Sequence, residues 1–302
     1  MFVGGTLRIE MRNKEMNAFL ACLIRKLREN GVYSLLVKGQ GIAQCYERPL
    51  WRACGDIDLL LDTSNYNRAK CFLLPLAEKV EPELVSLKHQ GVIIKGEVVE
   101  LHGALHSRLS NRIDKEIDIV QQACLSKGEV RAWRCDDTDV FLPSPDNDII
   151  FVFTHILFHF FVEGVGMRQI CDWCRLLWTY RDSINVELLG KRLRRMALMT
   201  EWKAFAALGV EWLGMPAEAI PFYSAEKKWK RKAERIMDHV IRTGNFGNNR
   251  ERVYPSSFYG RKLFSLWYKL CDYGHHMRIF PLDSAKFFCH IILDGIELAT
   301  TK

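Results

Sequence analysis

Leu35-Leu36-Val37-Lys38-Gly39-Gln40-Gly41, followed after a short polar span by Cys54-Gly55-Asp56-Ile57-Asp58-Leu59-Leu60-Leu61-Asp62, is the stretch on which the fold turns. Its first half reads as an apolar strand that breaks into a glycine turn and a short helix. Its second half reads as a strand over 56–61. Strand side chains alternate faces, so Asp56 and Asp58 project together while Ile57 and Leu59 take the opposite side. Two carboxylates on one face form a natural ligand pair for a hard divalent cation such as Mg²⁺. A glycine turn beside a lysine offers a seat for a polyphosphate.

Working outward, Met16, Phe19, Leu20, Leu23, Ile24 and Leu27 recur at helical spacing and predict a helix over 11–30, with Gly31 as its stop. A strand over 32–37 and a short helix over 41–46 follow, and Pro49 places 47–52 in a loop. Ser64 or Asn65 caps the next helix, which runs to about Lys79. Val92-Ile93-Ile94 and Val98-Val99-Glu100-Leu101-His102 then form a hairpin joined through Lys95-Gly96-Glu97. Its second arm puts Val98, Glu100 and His102 on one face and Val99 and Leu101 on the other. A carboxylate amid apolar strand residues is costly unless solvated or paired, which makes Glu100 the third acid of interest.

A helix over 113–122 and a strand over 130–135 are expected next. Leu142-Pro143-Ser144-Pro145-Asp146 ends one element and launches a helix. From there helices are expected over 146–161, 167–180, 186–199, 200–213, 225–242, 258–273 and 284–298, with a glycine and asparagine loop over 244–249. Strands first and helices afterwards predict an α+β protein, with a mixed-sheet domain over 1–142 and an all-α domain over 143–302.

The composition, 48% hydrophobic and 26% charged over 302 residues, is that of a folded soluble chain. A net charge of +7 suits an anionic partner without selecting one. No long uncharged apolar run predicts a membrane span, and residues 1–6 lack a secretory pattern. Ten scattered cysteines read as reduced, mostly buried thiols. A cytoplasmic protein is the expectation.

Nucleotidyl transfer uses two metal ions to neutralise the phosphates and align an in-line displacement. Each Mg²⁺ needs only a few carboxylates, with phosphates and water as its other ligands. Asp56, Asp58 and Glu100 meet that requirement. Asp56 and Asp58 bridge both metals in this reading, and Glu100 holds the catalytic one and helps deprotonate an acceptor hydroxyl. Lys38 and the backbone of Gly39, Gln40 and Gly41 meet the β- and γ-phosphates. A bare Asp-x-Asp usually marks a solvated strand end; the order of strand, glycine turn, short helix, acidic strand and later acid is what gives this one meaning.

That order resembles the nucleotidyltransferase superfamily sharing its fold with DNA polymerase β, and more closely a family of uncharacterised nucleotidyltransferases. The matching residues are Val37-Lys38-Gly39, Tyr46, Arg52, Gly55-Asp56-Ile57-Asp58-Leu59 and Val99-Glu100-Leu101-His102. The match continues through Pro143, Pro145, His155, His159, Gly166-Met167-Arg168-Gln169-Ile170-Cys171-Asp172-Trp173 and Gly244-Asn245-Phe246-Gly247. The resemblance implies a polymerase β-like catalytic domain followed by a helical domain. It implies Asp56, Asp58 and Glu100 as catalytic, metal-holding residues, with Lys38, Gly39, Gln40, Gly41, Arg52 and His102 on the nucleotide side. Mg²⁺ or Mn²⁺, a nucleoside triphosphate and an unidentified hydroxyl acceptor complete the expectation. A small molecule or protein is favoured over nucleic acid as acceptor, no membrane is involved, and the oligomeric state is open. Gln40 stands where the wider superfamily has serine, and the span from Gly39 to Asp56 is longer than usual. The missing serine motivates the alternative of a weak or inactive nucleotide-binding module on the same fold.

Two further constellations have competing readings. His155 and His159, with Cys171 and Cys174, supply four zinc-type ligands on consecutive helices, although packing between antiparallel helices explains them more simply. The basic runs 191–195 and 227–232 suit nucleic acid, but they lie on amphipathic helices whose default role is a solvated face. Trp173, Trp178, Trp202 and Trp212 read as core.

Overall fold

The computed structural model describes residues 2–249 and 257–300. The chain divides into two compact units, one formed by Met1–His106 with Ile117–Phe151 and the other by Ser107–Glu116 with Val152–Lys302.

In the first unit α1 (Phe2–Glu29) leads into β1 (Leu35–Val37), α2 (Gly39–Ala43), β2 (Ile57–Leu60) and α3 (Thr63–Leu73). Then come β3 (Lys79–Val80), β4 (His89–Ile94), β5 (Glu97–His102), α4 (Asn111–Lys127, in this unit from Ile117 on), β6 (Val130–Cys135) and β7 (Thr138–Pro143). The sheet has five strands in the order β1-β2-β5-β4-β3. It is mixed: β2 and β5 run parallel and the other pairs antiparallel. Alternation decides its two faces. Ile57, Leu59, Val99 and Leu101 are fully buried and join Met16, Leu20 and Leu27 of α1 and Tyr66, Ala69 and Leu73 of α3 in one apolar core. The intervening residues of β2 and β5 carry the acids.

The expected strand over 56–61 spans Ile57–Leu60, leaving Asp56 in the extended segment just before it. The α3 cap is Asp62, whose carboxylate accepts from the Asn65 amide at 2.7 Å, so the helix starts before Ser64. It ends at Leu73, short of Lys79, where a 3-10 turn over Leu74–Leu76 carries Pro75. The 92–102 hairpin is longer than expected, with β4 starting at His89. Its two-residue turn sets both Lys95 (φ 53°) and Gly96 (φ 74°) in the left-handed region that tight hairpins require. β7 is a strand the sequence reading left out; Thr138, Val140 and Leu142 form its buried face.

The second unit is helical: α5 (Pro145–Val162, most of it here), α6 (Met167–Tyr180), α7 (Val186–Met196), α8 (Met199–Leu213), α9 (Lys227–Thr243), α10 (Phe258–Ile279) and α11 (Pro281–Thr300). An aromatic cluster anchors it. The Phe153 ring lies 5.5 Å from Trp173 and 4.8 Å from Trp202, and the two indoles lie 5.0 Å apart. Trp173 and Trp202 are thus core, but Trp212 is 52% exposed, contrary to the expectation. α10 outlasts its expected end and stops before Phe280-Pro281, because proline disfavours helix in the residue preceding it. No helix among the described residues is long and apolar enough to cross a membrane.

Gly103, at the end of β5, donates its amide to the Lys88 carbonyl at 2.7 Å, and a Cβ there would stand 2.6 Å from Lys88 Cβ. Backbone must move to admit it. Gly103→Ala is expected to lower stability by about 1–3 kcal/mol. Gly55→Ala, with nothing within 4 Å of the added carbon, should stay within about 0.5 kcal/mol. Urea unfolding of the two variants checks the contrast.

Candidate active site

The parallel pairing of β2 with β5 sets Asp58 beside Glu100 and Leu60 beside His102, and the antiparallel pairing of β1 with β2 sets Val37 beside Asp58. Residues that β5 presents on the acidic face therefore gather around the residue that follows β1. The ligand oxygens of Asp56, Asp58 and Glu100 all lie within 4.8 Å of one another. At the centre, Asp58 Oδ1 receives the Lys38 ammonium at 3.1 Å and His102 Nε2 at 2.7 Å. Glu100 Oε2 lies 3.4 Å from His102 Nε2 and 3.2 Å from His89 Nε2. The sequence-chosen Asp56, Asp58, Glu100, Lys38 and His102 thus form one cluster.

Lys38 holds an unusual backbone, φ 58° with ψ −143°, in a region close to one that only glycine enters readily. The conformation turns the chain sharply from β1 into α2. Gly39 continues it at φ 35°, with the Asp56 carbonyl 3.4 Å from where a Cβ would stand.

Charge is balanced within the cluster. Burial pushes the Asp58 carboxyl up, but Lys38 and then His102 outweigh it and hold it below its ordinary value. Glu100 follows the same pattern: burial is overcome by the hydrogen bonds of His102 and His89, leaving it well below its usual range. Burial would strip the protons from Lys38 and His102, yet the acids opposite raise both above their ordinary values. Asp56 is the exception. Burial and the neighbouring charges of Asp58 and Glu100 push it up to about 6, against the pull of Lys38 and Arg52. Two acids are neutralised by two cations, and the third is left short of countercharge.

The remaining nucleotide-side residues surround this cluster unevenly. Gly39, Gln40 and Gly41 form the buried start of α2. The Gln40 side chain is enclosed, with neither amide atom finding a partner among the described residues. The Arg52 guanidinium bonds the Ala53 carbonyl at 3.2 Å and Cys54 Sγ at 3.3 Å, acting on Asp56 through its charge.

Two contributors escaped the sequence reading. His89 lies opposite His102 in the β4–β5 register, their rings 4.8 Å apart. Counting outward from the Lys95-Gly96 turn would have found it. Asn13 is a buried polar residue of α1 that clasps the loop leading to Asp56. Its Nδ2 donates to the carbonyls of Leu50 and Arg52, each at 2.8 Å, and its Oδ1 accepts from the Cys54 amide at 3.3 Å. A lone asparagine on an amphipathic helix carries no signal of this.

The zinc alternative finds no support. Among the described residues, the groups of three or more that could share a metal are Asp56/Asp58/Glu100 and His89/Glu100/His102. His155 and His159 instead face each other, Nε2 to Nε2 at 3.1 Å. Burial raises the Cys171 thiol and pushes that of Cys174 up to about 12. The basic runs are engaged inside their own unit: Lys191 with Glu187 at 2.6 Å, Lys228 with Glu226 and Lys230 with Glu211, both at 2.8 Å. Arg192 is buried, 3.9 Å from Glu116.

A family model described as uncharacterised nucleotidyltransferase matches residues 3–214, so the chain belongs to that family. The match takes in the whole acidic cluster and ends at the close of α8. No curated protein and no solved structure matches the chain.

Because folding raises the Asp56 pKa, the folded state binds more protons than the unfolded chain between about pH 4 and pH 6. Asp56 therefore costs stability as pH rises through that window, and the full penalty is present above it. Asp56→Asn should stabilise the metal-free protein by about 1–3 kcal/mol at pH 7.5 and leave it nearly unchanged at pH 4. Urea melts at the two pH values measure the difference; equal gains at both would contradict the assignment.

Proposed function

We propose that this nucleotidyltransferase-family chain moves a nucleoside monophosphate from a nucleoside triphosphate to a hydroxyl of an acceptor, with Mg²⁺ or Mn²⁺ held by Asp56, Asp58 and Glu100. The observation that carries the reading is the convergence of three carboxylates beside a glycine turn, in a chain of this family. The donor set suits a hard divalent cation: all-oxygen, few in number, and partly open, so phosphate and water can complete the shell. The metal-free charge balance also fits, since Lys38 and Arg52 do not offset the burial and acidic neighbours of Asp56, and a cation would supply the difference.

Bound cations would supply charge neutralisation and alignment for in-line displacement. The protein's own residues set the stage. Lys38 and His102 fix Asp58 in its ionised form, and His89 and His102 do the same for Glu100. Held low, Glu100 is a weak base, but the acceptor hydroxyl is itself acidified beside a bound cation, and Glu100, the more open of these two acids, helps take its proton in this reading. The amides at the start of α2, with the Lys38 charge behind them, receive the outer phosphates. Asn13 keeps the 50–54 loop in place, so Asp56 stays opposite Asp58.

The enclosed amide of Gln40, at the usual serine position, favours a second reading: a module that binds nucleotide without turning it over. Pyrophosphate release separates the two. Asp58→Asn, nearly isosteric, is expected to abolish metal-dependent release of pyrophosphate from NTP while leaving the fold's circular dichroism unchanged. Full activity in that variant would sink the proposed transfer. Nucleotide binding by calorimetry, with no pyrophosphate from the wild type across a broad acceptor panel, would favour the binding module.

Cation affinity should also depend on pH. Below about 6 a cation must displace a proton from Asp56, so apparent Mg²⁺ affinity is expected to fall about tenfold per pH unit there. Above that value it should be nearly flat. A calorimetric series from pH 5 to 8 checks the slope.

A further inference from the structure

His89, Glu100 and His102 form a second convergent group, drawn from β4 and β5 and overlapping the three acids only at Glu100. The nitrogens His89 Nε2 and His102 Nε2 stand 3.2 Å and 3.4 Å from the same oxygen, Glu100 Oε2. Ligands about 2.1 Å from one cation lie about 3.0 Å apart in octahedral and about 3.4 Å apart in tetrahedral coordination. Both separations fit.

Hydrogen bonding alone leaves this arrangement incomplete. His102 Nε2 carries at most one hydrogen, yet it faces Asp58 Oδ1 at 2.7 Å and Glu100 Oε2 at 3.4 Å. The nearer acid is the better placed for it, so Glu100 Oε2 has at most a shared and longer hydrogen bond from that ring. The backbone holds the two rings in place from both ends. The two-residue turn at Lys95-Gly96 fixes the pairing of His89 with His102, and the close approach of Gly103 to Lys88 pins the strand just outside them.

We propose that His89, Glu100 and His102 hold a divalent transition-metal cation that accepts imidazole nitrogen, such as Zn²⁺ or Co²⁺, for which Mn²⁺ is a paramagnetic stand-in, with Glu100 shared between this site and the three-acid site. The inference rests on the reading of Asp56, Asp58 and Glu100 as a metal site. Imidazole favours transition metals, whereas carboxylate and water suit Mg²⁺, so the two halves of the site differ in the ion they select. Ligation would take His102 away from Asp58 and leave Lys38 as that acid's partner.

The test uses the full chain and Mn²⁺ alone, read by equilibrium dialysis and by pulsed electron paramagnetic resonance. Without a nucleotide to complete a second ion's shell the three-acid site takes one cation, so the wild type is expected to bind two Mn²⁺ per chain and to show nitrogen-14 couplings from imidazole. His89→Gln retains a hydrogen-bond donor toward Glu100 but removes the imidazole, and is expected to bind one Mn²⁺ with the nitrogen couplings lost. A wild type binding one Mn²⁺ with an oxygen-only spectrum overturns this inference and leaves the three-acid site standing. A His89→Gln chain that still binds two ions with unchanged couplings also overturns it. A wild type that binds no Mn²⁺ overturns both this site and the metal-dependent reading above. The wild-type spectrum decides on its own should the variant fail to fold.

Discussion

Asp58 Oδ1, held between the Lys38 ammonium and the His102 imidazole, is the interaction on which the site depends. It ties three separate pieces of chain: the residue that follows β1, the body of β2 and the end of β5. A buried carboxylate without partners would be several kcal/mol unfavourable, and it would protonate rather than stay charged. With two cationic groups on one oxygen it remains an anion inside the protein. The strained backbone of Lys38 is explained in the same way, because the turn that costs conformational energy is also the one that delivers the ammonium to Asp58.

The apolar side of the sheet makes this arrangement affordable. Ile57, Leu59, Val99 and Leu101 are fully buried against α1 and α3, and each lies next in sequence to a site residue. The hydrophobic effect acting on one face therefore fixes the direction of the acids on the other. Glu100 needs no separate instruction to face Asp58: the parallel register and the alternation of side chains do it.

Much of this was legible in the sequence. The mixed sheet followed by helices, the hairpin, and the gathering of Asp56, Asp58, Glu100, Lys38 and His102 all follow from alternation, helical spacing and glycine chemistry. What was not legible depends on contacts between residues far apart in the chain. Asn13 serves a loop nearly forty positions later, and nothing in its local pattern distinguishes it from any polar residue on a helix. His89 is hidden for a different reason: the apolar run that marks the first arm of the hairpin begins at Val92, three residues short of the position opposite His102. Trp212 is exposed where a core ring is expected because aromatic composition indicates a core without saying which ring belongs to it.

The two-residue turn and the Asn13 clasp together determine where this chain can change length. Adding one residue within β5 before Glu100 would turn the acid into the apolar core and bring Val99 out beside Asp58, and removing one would bring Leu101 there, since strand faces alternate residue by residue. The same applies to β2 between Ile57 and Leu60. The segment between α2 and β2 follows another rule. Its ends are set by α2 and by the three hydrogen bonds of Asn13, so residues between them can be inserted while Asp56 keeps its place. The long span from Gly39 to Asp56 is accordingly where descendants of this sequence can diverge in length, while the strands that carry the acids are confined to point substitution.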